Sequence, residues 1–121
     1  MVLGVGIDVI EVQEFRSGLD DARLGELFLQ EELAYARTQA RLWENLAARA
    51  AAKRAVLKAL RVTDDEPRWL DVEVTRGGSG EPDVRLHGET LRHAGEIGAR
   101  ELRLSMSHTR TAAVAVVVVE G

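Results

Sequence analysis

The chain has 121 residues, 45% of them apolar and 30% charged, with a formal charge of −4. Length argues for a single domain spanning residues 1–121, and the apolar share excludes global disorder. The absence of cysteine excludes disulfides, thiol nucleophiles and Cys-ligated zinc, and the acidic balance gives no global reason to bind nucleic acid.

Val2 to Val12 is rich in Val and Ile and reads as a strand. Gly4 and Gly6 within it mark a close backbone approach. Asp8 stands between Ile7 and Val9, where a short carboxylate needs a partner or water. Leu19 to Arg37 reads as two short helices, with Leu24, Leu27 and Phe28 on one face. Trp43 to Leu60 is the clearest helix, Ala-rich and free of Gly and Pro. Arg49, Lys53, Arg54 and Lys58 form a basic stretch along it, and its alanines allow another backbone to come close.

Val62 to Arg68 reads as a polar loop and Trp69 to Thr75 as a strand. The Gly-rich turn from Arg76 to Pro82 joins it to a second strand, Asp83 to Leu86. Gly88 to Ile97 reads as a helix that stops at Gly98. Glu101 to Met106 and Ala112 to Val119 complete the set, joined around Ser107, His108, Thr109 and Arg110. The expected fold is α+β: a mainly antiparallel sheet packed on one long helix and shorter helices. No apolar run approaches the ~20 residues of a membrane-spanning helix. Met1-Val2-Leu3-Gly4 lacks the basic region of a signal peptide, so a cytoplasmic protein away from membranes is expected.

Five segments, in order and at the right spacing, resemble the holo-acyl-carrier-protein synthase family. They are Gly4 to Val12, Phe28 to Tyr35, Leu46 to Leu60, Gly80 to Gly88, and Ser105-Met106-Ser107-His108 with the apolar strand after it. The resemblance implies a phosphopantetheinyl transferase fold. It implies an Mg²⁺-dependent transfer of phosphopantetheine from coenzyme A to a serine of an acyl carrier protein. It also implies a homotrimer with its sites at the subunit interfaces. Asp8 matches one metal-binding carboxylate. Arg49, Lys53, Lys58, Ser107 and His108 fall where the family holds coenzyme A. Arg16, Arg23 or Arg49 would dock the carrier protein.

Three positions depart from the family pattern. Arg54 stands where the family has a metal-binding glutamate, Thr109 where it often has aspartate, and Glu81 where it usually has lysine. Arginine has no acceptor and stays protonated, so Arg54 repels a dication. Asp8 alone is a poor metal site, because Glu11 in a flat strand points to the other face. Two readings follow. In one, Asp8, Arg54 and His108 form the centre of a transferase, with Arg54 neutralising the diphosphate and His108 as base. In the other, a divergent paralogue keeps the fold and trimer but has lost or changed catalysis, and serves as a carrier-protein or coenzyme A binding module. Blander roles stand beside these: Asp8 as a structural partner of Arg54, the basic run as a solvated helix face, and His108 as a turn residue.

Overall fold

The computed structural model describes residues 1–121. In chain order the elements are β1 (Val2–Glu11), α1 (Val12–Ser17), α2 (Asp21–Leu27), α3 (Gln30–Arg37) and α4 (Leu42–Ala59). A 3-10 turn (Trp69–Asp71) leads into β2 (Val72–Arg76), β3 (Pro82–Leu86), α5 (Gly88–Glu96), β4 (Glu101–His108) and β5 (Ala112–Glu120). The fold is α+β and every strand pairing is antiparallel. β1, β5 and β4 form one sheet in that order, and β2 and β3 form a separate hairpin.

Strand alternation decides what α4 touches. Gly6, Asp8 and Ile10 of β1 are buried, together with Ala113, Ala115, Val117 and Val119 of β5. Asp8 pairs with Ala115, and Ala115 pairs in turn with Met106 of β4. α4 lies across this face. A Cβ at Gly4 or Gly6 would overlap the carbonyl oxygen of Ala59 or Ala55 respectively. Glycine on the strand and alanine on the helix therefore bring the two backbones together, as the sequence pattern predicts. Phe28, Leu46, Leu60, Val72 and Val117 fill the remaining core. Each contributes about 1.5–3 kcal/mol from burial.

On the other face of the sheet β1 is apolar and bare, while β4 presents Arg103, Ser105 and Ser107. Val5, Ile7 and Val9 are 61%, 58% and 62% exposed. These residues sit on an edge strand.

Three elements differ from the sequence reading. The first strand ends at Glu11, and the chain turns at once into α1. Six residues are too few to hold a helix alone. Tertiary packing holds this one: Phe15 sets its ring edge-on against Phe28 and Trp43, each at 6.4 Å, and Arg16 covers Trp43 at 5.5 Å. Trp69–Asp71 is a 3-10 turn and not the start of β2. There Asp71 Oδ2 accepts bonds from the buried Thr90, from its amide at 3.2 Å and its hydroxyl at 2.9 Å. That contact ties the start of α5 to the turn. β4 runs two residues past the expected end, to His108. Elsewhere the elements fall where expected, including the helix stop at Gly98, whose φ is +81°. No helix is long and apolar enough to cross a membrane.

Candidate active site

The α4–β1 contact makes a charged centre. Arg54 and Lys58 are four residues apart on α4, so they share a face. That face overhangs Asp8. The Asp8 side chain is 3% exposed, while Arg54 is 43% and Lys58 52% exposed. Lys58 Nζ donates to Asp8 Oδ1 at 2.7 Å and to the Ile7 carbonyl at 3.1 Å. Arg54 Nε stands 3.3 Å from Asp8 Oδ2. That contact is an ion pair without hydrogen-bond alignment, and Oδ2 is buried with no hydrogen bond of its own. A carboxylate thus forms the floor of the centre, and two half-exposed cations form its lip. The local sum is one net positive charge.

The centre opens into a groove. Val9, Phe15, Leu19, Leu27 and Trp69 line a cleft of about 410 Å³ together with Glu11, Glu14, Arg23 and Arg54. Across α4, a second pocket of about 150 Å³ collects Tyr35, Asn45, Arg49, Arg76, Ser107 and His108. Arg49 is buried there. Its Nη1 donates to the Val74 carbonyl at 2.6 Å and its Nε to Asn45 Oδ1 at 3.1 Å. Its guanidinium and that of Arg76 lie over the Tyr35 ring at 4.9 and 5.0 Å. Burial lowers the affinity of Arg49 for its proton, and the Glu32 charge opposes that.

Comparison with known proteins fits this arrangement. Residues 4–117 match the family model described as the 4'-phosphopantetheinyl transferase superfamily. The chain belongs to that family. It is 41% identical over 122 residues to the holo-[acyl-carrier-protein] synthase of Streptomyces avermitilis, covering 99% of this chain and 98% of that one. It is 37% identical over 124 residues to that of Koribacter versatilis, with 99% of each covered. The crystal structure of the Neisseria meningitidis synthase superposes with a TM-score of 0.87 at 25% identity over 100% of both chains. The Bacillus anthracis synthase, solved in complex with CoA (3',5'-ADP), gives 0.79 at 32% identity over 98% of this chain and 96% of that one.

Within the family framework, the residues singled out from sequence divide into three groups. Asp8, Arg54 and Lys58 come together. Arg49, Ser107 and His108 share the second pocket, with β5 lying between His108 on β4 and Asp8 on β1. A single chain therefore does not bring His108 to the Asp8 centre. Lys53 belongs to neither group, which corrects its assignment to coenzyme A. It is fully buried, donating to Glu32 Oε1 at 2.6 Å and to the Trp69 carbonyl at 3.0 Å. Burial lowers its proton affinity, with Glu32 the chief opposing influence. Glu32 also accepts from the amides of Leu29 at 2.9 Å and Val74 at 3.0 Å. Lys53 is thus a structural cation joining α3, α4 and β2.

The docking arginines fare similarly. Arg49 is buried, Arg23 is held by Glu66 at 2.6 Å and Glu26 at 3.4 Å, and Arg16 covers Trp43. Only Arg16 keeps a guanidinium without a carboxylate partner on an exposed surface. Thr109 closes the β4–β5 turn, its Oγ1 accepting from the amides of Thr111 at 3.2 Å and Ala112 at 3.1 Å. Tyr35, Asn45 and Arg76 were missed by sequence reasoning. Arg76 had a visible signal, since it opens the Gly-rich turn. Tyr35 and Asn45 had none, because they reach the pocket from separate helices.

The magnesium that the resemblance implies finds a poor fit at Asp8. Mg²⁺ takes an octahedron of hard oxygen ligands, ordinarily one or two carboxylates completed by waters and substrate phosphates. Asp8 offers one carboxylate, with Lys58 on one oxygen and Arg54 beside the other. No group of three or more His, Cys, Asp or Glu side chains stands close enough to hold a metal ion.

Proposed function

We propose that this protein transfers 4'-phosphopantetheine from coenzyme A to a serine of an acyl carrier protein. The observation that carries the reading is the Asp8–Arg54–Lys58 centre, placed beside an open groove in a chain that matches the family along almost its whole length. The relatives named holo-[acyl-carrier-protein] synthase supply the substrate class.

In the reaction the serine Oγ forms a bond to the phosphorus that carries pantetheine. The diphosphate P–O bond breaks, and 3',5'-ADP leaves with the electron pair. One proton per turnover passes from the serine hydroxyl to solvent. Positive groups beside the diphosphate favour this step, because charge moves onto the leaving phosphate.

The complete site is a property of a homotrimer on this reading. The bare apolar face of Val5, Ile7, Val9 and Val116 supports self-association, since an exposed edge of this kind ordinarily finds a partner. Assembly would also allow the Arg49–His108 pocket of one copy to meet the Asp8 centre of another. In that arrangement His108 is the base that first takes the serine proton. A Val5→Lys/Ile7→Lys double variant should be monomeric by light scattering and lose transfer. A variant that remains trimeric would exclude this face as the interface. The cysteine-free sequence is in keeping with a cytoplasmic location.

Intact-mass spectrometry tests the reading. Apo acyl carrier protein incubated with this protein, coenzyme A and Mg²⁺ should gain the mass of one phosphopantetheine. No gain across several carrier proteins would favour the paralogue reading, in which the fold is kept and catalysis is lost or changed. The departure at Arg54 is the observation that favours that alternative.

A further inference from the structure

We infer that Arg54 and Lys58 bind the diphosphate of the phosphopantetheine donor directly, so that donor binding and transfer proceed without a divalent cation. The inference rests on the transferase reading above, and its argument comes from the charges around Asp8.

A diphosphate donor needs positive charge beside its bridging and non-bridging oxygens, and either a metal ion or a set of Arg and Lys side chains can supply it. The Asp8 centre lacks what a metal requires. It holds one buried carboxylate with two cations within 3.3 Å of it, and no group of three or more His, Cys, Asp or Glu side chains stands there. A dication placed there would face Arg54 and Lys58 at short range with a single negative charge to offset them.

The same geometry suits an anion. Arg54 and Lys58 are about half exposed above a buried anchor, so part of each cation is accessible to a ligand. Arg54 Nε faces Asp8, which leaves the two terminal nitrogens of the guanidinium for a phosphate, in the fork geometry that phosphate oxygens match. Lys58 uses Nζ on Asp8 and on the Ile7 carbonyl, and its third proton is open to a ligand. Asp8 in this account is a positioning residue. It holds both cations at the surface, Arg54 beside the groove and Lys58 in the neighbouring pocket, and the three groups sum to one net positive charge.

Two measurements test the inference together. In the first, Mn²⁺ binding is followed by electron paramagnetic resonance in the absence of nucleotide, with the wild type and Arg54→Glu. The wild type should show no bound Mn²⁺ at millimolar metal. Arg54→Glu, which places a second carboxylate beside Asp8, should bind it. In the second, coenzyme A binding is measured by calorimetry in chelator. The wild type should bind, with an affinity within about twofold of that in Mg²⁺. Arg54→Ala should bind about tenfold or more weakly, the loss of one charge-assisted contact to phosphate.

Tight Mn²⁺ binding by the wild type, or coenzyme A binding that survives only with Mg²⁺, would overturn the inference and leave the transferase reading standing. Unchanged coenzyme A affinity in Arg54→Ala would also overturn it. Absence of coenzyme A binding under both conditions would overturn both.

Discussion

Lys53 and Arg54 are neighbours on α4, yet they lead opposite lives. Lys53 is sealed among α3, α4 and β2, with Glu32 and a backbone carbonyl taking its protons. Arg54 turns the other way, over β1, with nearly half its side chain in solvent and Asp8 beneath it. The residue types are alike and the helix is the same. Position around the helix axis decides that one cation ties the fold together while the other is offered to a ligand. A run of basic residues in a sequence is thus several separate features, told apart only by what each faces.

The widest gap between the two should appear in stability. Lys53→Met leaves Glu32 buried without its cation and should cost about 3–5 kcal/mol, read as a lower urea midpoint. Arg54→Met should cost less than about 1 kcal/mol, since its pair with Asp8 reaches the surface. Equal losses would erase the distinction. Next in size is the packing that positions the exposed centre. Gly6→Ala pushes a methyl into the Ala55 carbonyl and should destabilise by about 1–3 kcal/mol. It should also weaken coenzyme A binding by moving Arg54 and Lys58 away from Asp8, and unchanged binding would show that the centre does not depend on this contact. The smallest expected effect is that of salt. Coenzyme A binding should weaken between low salt and 1 M NaCl, because half-exposed cations are screened, while the urea midpoint of the Lys53–Glu32 network stays nearly level.

Much of the fold was legible from local pattern. Gly4 and Gly6 marked a close backbone approach, the Ala-rich run marked a helix that another backbone could approach, and the Gly-rich turn marked the hairpin. These signals are short-range, and the structure keeps them. α1 was not legible, because Val12 continues the apolar run of β1 and the packing of Phe15 on Phe28 and Trp43 comes from distant residues. The site was legible in part. The pairing of Asp8 with Arg54 was expected, and the structure adds Lys58 to the same carboxylate. Lys53 was misassigned because its partner Glu32 lies 21 residues away, and nothing in the helix itself marks the side that α3 covers. Separating His108 from Asp8 required the strand order, with β5 between them, which composition and spacing do not encode.

The initial rate of carrier-protein modification by the wild type, with Mg²⁺ and with chelator, measures directly whether the centre works without metal. The two rates should agree within about twofold, as Arg54 and Lys58 supply the positive charge that the diphosphate needs. A rate that collapses in chelator and returns with Mg²⁺ would contradict this, and would mean that Asp8 and the substrate phosphates hold the ion despite the arginine beside them.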